Sequence, residues 1–175
     1  ANVALDYDTV NYKLTGSYES QLVWDINKVR VDASEFGWDY TSAFTYNGNE
    51  HVVNYLTPDA EDVVTVVYES ANKAVNAGTY TTVVTLEYDT VNYELVNLIN
   101  NSTLNWNVNK VLVETDEFEW VYNGPYTYDG TEKSVKFDSH TDLVSVLYVD
   151  NAKTNAGTYT AKATVKVNDA VNYEL

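Results

Sequence analysis

The sequence predicts an all-β protein that consists of antiparallel β-sandwiches in tandem, with about 81 residues in each repeat. Val, Thr and Tyr, which favour strands, make up 63 of the 175 residues. Several stretches alternate between apolar and polar side chains, as half-buried strands do, and no apolar stripe has the helical period. Related motifs also recur at a nearly constant spacing, which indicates internal repeats.

Three motifs define the repeat. Trp24–Gly48 aligns without a gap onto Trp106–Gly130, and 12 of these 25 positions are identical. The sequence NAGTYT occurs at residues 76–81 and again at 155–160. The sequence VNYKL or VNYEL occurs three times, at residues 10–14, 91–95 and 171–175. Three motifs in the same order at one spacing indicate a tandem array.

A unit of this length is large enough to bury a core of its own. We therefore expect residues 29–110 to form one repeat, which we call the first segment. Residues 111–175, the second segment, are expected to form another repeat that lacks its last strand. Residues 1–28 match the terminal strands of a preceding repeat.

The strands are predicted from their alternation. Tyr80, Thr82, Val84 and Leu86 share one face, as do Tyr159, Ala161, Ala163, Val165 and Val167 in the second segment. A further strand, between these two in the chain, is predicted to turn Leu104, Trp106 and Val108 inward and Asn105, Asn107 and Asn109 outward. Polar residues on alternate positions indicate antiparallel sheet with one face in water.

Turns separate these strands. Gly48 follows Asn47 and Gly130 follows Asp129, which predicts two hairpins with type I′ turns. Gly78 and Gly157 close a second kind of turn, two residues before a tyrosine. Tyr80 and Tyr159 resemble the corner tyrosine of immunoglobulin domains, which bonds back to the preceding loop. We interpret these glycines and tyrosines as structural residues.

These motifs together resemble the bacterial Ig-like repeats of the MBG/YDG type that occur in large cell-surface proteins. The residues that carry the resemblance are YDG at 128–130, both NAGTYT copies, and NYEL at 92–95 and 172–175. The first copy departs from the pattern because Asn47 replaces the aspartate. The resemblance covers nearly the whole chain and implies an extracellular Ig-like array in an adhesin or stalk on the bacterial surface.

Composition excludes several functions. The formal net charge of −16 opposes contact with phosphate backbones, which argues against nucleic-acid binding. Without cysteine there is neither a disulfide framework nor a thiol nucleophile. No stretch is apolar for the roughly 20 residues of a membrane helix, so membrane insertion is not expected. His51 and His140 stand at unrelated positions, and we expect no enzyme and no cofactor.

The remaining candidate sites are few. Asp8, Asp89 and Asp169 recur beside the VNY motif and are candidate calcium ligands, although a solvated acidic surface is the simpler interpretation. Trp38, Tyr40, Trp120 and Tyr122 are candidates for stacking on a sugar, and packing in the core is their alternative. Lys28 and Lys110 recur where one repeat meets the next, which favours a junction contact over an isopeptide cross-link.

The sequence thus predicts a rigid tandem stalk segment whose partners are neighbouring repeats of the same protein. One alternative is an adhesin domain that binds a host glycan or protein through an exposed aromatic patch. The other is a fibre subunit that associates with itself head to tail, because residues 15–28 have the pattern of the strand that the second segment lacks.

Overall fold

The computed structural model describes residues 6–13, 15–16 and 21–175. Within these ranges the chain forms strands and turns and contains no helix, so the predicted all-β class is confirmed. The described residues accordingly offer no helix with the length and apolarity of a membrane span. The first strand among the described residues begins at Val29, so the strands expected within residues 1–28 remain a prediction.

The first segment contains ten strands among the described residues. They are β1 (Val29–Asp32), β2 (Gly37–Trp38), β3 (Phe44–Thr45), β4 (His51–Val52), β5 (Tyr55–Leu56), β6 (Thr65–Tyr68), β7 (Lys73–Ala74), β8 (Gly78–Glu87), β9 (Tyr93–Val96) and β10 (Thr103–Asn109). β3, β10, β8 and β6 form a four-stranded sheet in that order. β1 pairs with β9, β2 with β5 and β4 with β7.

β10 is one of the two inner strands of this sheet, with β3 on one side and β8 on the other. It runs antiparallel to the first half of β8, with Trp106 opposite Tyr80, and parallel to β3, with Val108 opposite Phe44. β6 pairs antiparallel with the second half of β8. The last strand of the first segment therefore lies between β8, which shortly precedes it, and β3, which comes much earlier in the chain.

The second segment contains eight strands among the described residues. They are β11 (Val111–Leu112), β12 (Glu119–Val121), β13 (Lys133–Ser134), β14 (Lys136–Asp138), β15 (Val144–Val149), β16 (Ala152–Lys153), β17 (Lys162–Val167) and β18 (Tyr173–Glu174). The pairs are β11 with β18, β12 with β14, β13 with β16 and β15 with β17. The second segment has no counterpart of β10 among its described residues.

Two buried clusters form the core of the first segment. One consists of Ala33, Phe36, Tyr55, Ala60, Val64 and Val84. The other consists of Val53, Trp106 and Val108, so β10 supplies two of its three members. The predicted faces of β8 and β10 are confirmed, since Thr82 and Trp106 are both fully buried.

Two expectations about the strands were wrong. The sheets are not purely antiparallel, because β1 with β9, β3 with β10 and β11 with β18 are parallel pairs. The strand expected over residues 158–167 begins only at Lys162. A parallel partner comes from a distant part of the chain, and alternation does not reveal it.

The predicted hairpins were also wrong. β3 and β4 flank Gly48 but pair with β10 and β7, so the turn connects two sheets instead of two neighbouring strands. Gly48 and Gly130 have φ angles of 79° and 81°, whereas Asn47 and Asp129 are not among the residues with positive φ. A type I′ turn needs positive φ at both central residues, so this turn type is absent.

Candidate functional site

Each segment has a tyrosine corner, which lies at the start of β8 in the first segment and just before β17 in the second. Tyr80 Oη donates to the carbonyl oxygen of Asn76 at 2.7 Å, and the corresponding bond of Tyr159 is 2.8 Å long. A Cβ atom at Gly78 would lie 3.3 Å from the Tyr80 hydroxyl, and one at Gly157 would lie 2.9 Å from the Tyr159 hydroxyl. Glycine therefore leaves the room that the tyrosine ring occupies.

β10 fills the space beside this corner in the first segment. The Trp106 side chain is fully buried, and its Nε1 donates to Thr82 Oγ1 at 2.9 Å. Its ring lies 4.9 Å from the ring of Tyr80 and 6.0 Å from that of Phe44, measured between centroids. The backbone N–H of Asn107 donates to Tyr40 Oη at 3.1 Å. β10 is therefore held by apolar packing and by hydrogen bonds.

The second segment repeats the surrounding framework. The ring of Trp120 lies 5.5 Å from Phe137 and 6.1 Å from Tyr148. In the first segment the ring of Trp38 has the same two contacts, at 5.3 and 6.4 Å, with aromatic residues at the matching positions. The two segments therefore place their tryptophans alike, although only the first has a strand beside them.

The space that β10 fills in the first segment is an open groove of about 680 Å³ in the second. We call it the aromatic groove and define it by Trp120, Tyr122, Tyr126, Tyr128, Val135 and Tyr159. These residues match, in order, the first-segment residues Trp38, Tyr40, Phe44, Tyr46, Val53 and Tyr80, which all belong to the cluster around β10.

Exposure differs sharply between the two sets. Tyr128 is 63% exposed, Tyr122 55% and Tyr159 48%, whereas their first-segment counterparts are half-buried. Val53 is fully buried, and Val135 at the matching position is only half-buried. The same residue types are therefore covered in one segment and open to solvent in the other.

The backbone around the groove is also incomplete. In the first segment β10 pairs with residues 78–83 of β8 and with both residues of β3. The matching residues 157–161 and 126–127 belong to no strand. Residues 126–127 and 157–161 therefore lack strand structure, and their first-segment counterparts are residues that pair with β10.

The four aromatic candidates from the sequence have two different fates. Trp38 is half-buried and its Nε1 donates to the carbonyl oxygen of Asn101 at 2.7 Å, while Tyr40 contacts β10. Trp120 and Tyr122 instead line the aromatic groove. Sequence reasoning missed Tyr126, Tyr128 and Val135 as members of the same site. Their alignment with the residues around β10 was the signal that could have identified them.

The calcium candidates lie in three separate turns. The carboxylates of Asp8, Asp89 and Asp169 each accept hydrogen bonds from backbone N–H groups two and three residues later, and from the side chain of an asparagine three residues later. The asparagine bond, and then the backbone bonds, hold the pKa of each carboxyl group below its ordinary value. Within the described residues no group of three or more acidic or histidine side chains is placed to hold a metal ion.

Asn172, the partner of Asp169, also joins the two segments. Its Oδ1 accepts from the backbone N–H of Ala77 at 2.7 Å, and its Nδ2 donates to Asn76 Oδ1 at 3.2 Å. Its side chain is only 5% exposed. Tyr173 lies beside Tyr46 of the first segment, edge to face, with 5.6 Å between the ring centroids. We call these contacts the junction.

The recurring lysines mark the start of each segment. Lys28 Nζ donates to the carbonyl oxygen of Thr90 and Lys110 Nζ to that of Ala170, each at 2.6 Å. Both carbonyls belong to the turns that Asp89 and Asp169 cap. The two lysines therefore tie the entry of each segment to its own capped turn.

Acid is expected to weaken the junction. The pKa of Asp169 is lowered in the folded chain, so its stabilising effect is complete above the ordinary aspartate value of about 3.9 and is lost as the pH falls through the lowered pKa. The NMR shift of the Ala77 amide should therefore change below about pH 4. Asp169→Asn should remove this titration, and a titration that persists in the variant would contradict the assignment.

His51 and His140 have different neighbours and do not form a shared site. The His51 ring stacks on Phe44 with 4.7 Å between centroids. His140 Nδ1 lies 3.6 Å from a carboxylate oxygen of Asp138.

Comparison with family models, with curated proteins and with solved structures gives no match, so the interpretation of the groove depends on its own geometry.

Proposed function

We propose that the chain is a non-catalytic segment of an extracellular stalk on a bacterial surface, formed by tandem Ig-like sandwiches. The observation that carries the proposal is the continuity between the segments. β10 ends at Asn109, β11 begins at Val111, and only Lys110 lies between them. The strand that completes the first sheet therefore leads directly into the second segment. A connection this short resists bending between the two segments.

The sheet order supports the Ig-like part of the proposal. β10, β8 and β6 are antiparallel neighbours, as are strands G, F and C in one sheet of an immunoglobulin domain. The tyrosine corner beside β8 is a second feature of that fold. The sequence repeat and the matching aromatic packing of the two segments support the tandem arrangement.

The junction supports a mechanical role. The buried side chain of Asn172 bonds to two residues of the first segment, and the edge-to-face tyrosine pair lies beside it. Because hydrogen bonds and aromatic contacts both cross the junction, tilting one segment would break them together. Repeats joined in this way hold whatever they carry at a fixed distance.

Single-molecule energy transfer between the two segments tests this role. The chain has no cysteine, so Glu61→Cys and Glu117→Cys provide one exposed dye site in each segment. We expect one narrow distance distribution for the parent chain. Asn172→Ala should broaden it, because the bonds to the first segment are lost. Asn92→Ala is the matched control, since Asn92 is exposed and holds only its own capped turn. A broad distribution in the parent chain would contradict a rigid stalk.

A further inference from the structure

We propose that the aromatic groove of one chain binds residues 21–28 of a second copy, which we call the donor segment, so that copies of this 175-residue chain join head to tail. This interaction goes beyond the stalk role and does not depend on it. The donor segment enters the groove as a β-strand and takes the place that β10 takes in the first segment.

The donor segment repeats the inward-facing side-chain pattern of β10. Leu22 and Trp24 match Leu104 and Trp106, and Ile26 replaces Val108. The donor segment then ends in Asn-Lys, as do residues 109–110. The pattern of inward-facing side chains that fills the first core is therefore present a second time, at the other end of the first segment.

The donor segment is uncovered. Leu22 is 84% exposed, Trp24 69% and Ile26 82%. Large apolar side chains at alternate positions, all in contact with water, are a face that is stabilised by burial. Among the residues that the structure describes, the donor segment pairs with no strand, and a segment with a strand pattern is prone to pair with an open sheet edge.

The groove offers the complementary edge. With the register of β10, Trp24 would lie opposite Tyr159, and Ile26 would lie opposite Gly157 on one side and Tyr126 on the other. The backbone groups of residues 157–161 and 126–127 would then gain strand partners. Addition of a strand to an open edge gives affinity through the main chain and specificity through the alternate side chains.

The residues that form the junction within one chain have counterparts that could form the same contacts between two copies. The residues that form it are Tyr46, Asn76, Ala77, Asn172 and Tyr173, and their counterparts Tyr128, Asn155, Ala156, Asn92 and Tyr93 are identical in type. The first three counterparts lie in the second segment and the last two in the first. When the donor segment of one copy enters the groove of another, these residues meet and can form the same bonds. Asn172 is 5% exposed in its junction, whereas Asn92 is exposed in the single chain.

One difference between the segments weakens the contact of the donor segment with the groove, relative to the contact of β10 with its own sheet. The Trp106 indole donates to Thr82 Oγ1, but the position that matches Thr82 is Ala161. Trp24 would therefore enter the groove without a hydroxyl partner for its Nε1. A missing hydrogen bond of this kind lowers the affinity by a factor of about 5. Ala161→Thr is expected to restore it.

The geometry of this contact leads to open chains. The groove and the donor segment are different surfaces, so the contact is heterologous and each added copy presents a new groove. Each copy also carries a formal charge of −16, and repulsion between copies opposes growth. Added salt screens this repulsion. We therefore expect assembly to start at a lower protein concentration in about 0.5 M NaCl than in about 0.05 M NaCl.

Light scattering after size exclusion, over a series of protein concentrations, tests the proposal. We expect the mass of the parent chain to rise above 19.7 kDa with concentration. Trp24→Ala should remain a monomer, and because Trp24 is exposed its circular dichroism should match that of the parent chain. Ala161→Thr should assemble at a concentration lower by a factor of about 5.

A second variant keeps every residue of the parent chain. Extending the chain after Leu175 by a copy of residues 96–110 places a strand beside the groove within the same molecule. This extended chain should remain a monomer because its groove is filled. Assembly that persists in both Trp24→Ala and the extended chain would overturn the proposal. A parent mass that stays at 19.7 kDa at every concentration would also overturn it, and a shift of tryptophan fluorescence with N-acetyllactosamine in that case would assign the groove to a sugar.

Discussion

Replacing Trp106 by alanine is expected to destabilise the first segment by about 3–5 kcal/mol. The indole is fully buried between β8 and β3, so its removal leaves a cavity and also leaves Thr82 without its indole donor. Urea unfolding, followed by the NMR signals of residues in the first segment, measures the loss. We expect the signals of the second segment to keep their own midpoint.

Trp24→Ala is the matched control for this substitution. The two tryptophans occupy the same place in aligned sequences, but Trp24 is 69% exposed and Trp106 is fully buried. In a dilute, monomeric sample Trp24→Ala should therefore leave the free energy of unfolding unchanged within about 0.5 kcal/mol. Equal losses for both substitutions would contradict the burial that the structure assigns to β10.

The extended chain is expected to have a more stable second segment than the parent chain. The appended strand would bury a leucine, a tryptophan and a valine, each worth about 1.5–3 kcal/mol or more, against the entropy of ordering the strand. The gain appears as a higher urea midpoint for the second segment and as slow hydrogen exchange in residues 157–161.

Alanine in place of the tryptophan in the appended copy provides the control. This change should remove about 3–5 kcal/mol of the gain, as in the first segment. If the extended chain and its alanine variant have the same midpoint as the parent, the appended strand does not enter the groove. The match between the two segments would then be one of sequence only.

Much of the fold could be predicted because local patterns determine it. Alternation identified β8 and β10 and the faces that they bury, since a strand with one wet face has a period of two. The parallel strand pairs could not be predicted from local sequence patterns. β10 lies beside β3 because both complete the same core, and their contact spans more than 60 residues of chain. The turns at Gly48 and Gly130 were mistaken for hairpins for the same reason.

The aromatic groove shows what alignment alone does not reveal. Trp38 and Trp120 are aligned and have the same aromatic neighbours, and a sequence argument treats them alike. They differ because Asn101, which accepts the Trp38 indole hydrogen bond, precedes β10 and has no counterpart within residues 111–175. Coverage of a side chain depends on which strands are present around it.

The same reasoning applies to the acidic residues. Asp8, Asp89 and Asp169 were calcium candidates because they recur, and recurrence is equally well explained by three capped turns. A carboxylate that accepts bonds from two backbone N–H groups and one asparagine is already a structural element. The recurring asparagine, three residues later, was the sequence signal for this role.

Native-state hydrogen exchange on a dilute sample of the parent chain tests most directly whether β10 covers residues 78–83 while the matching residues of the second segment are open to solvent. Residues 78–81 and residues 157–160 are identical in sequence, so their intrinsic exchange rates are close. We predict slow exchange for the bonded amides of residues 78–83 and fast exchange for residues 157–161. Equal protection of the two stretches in a monomer would contradict the open groove.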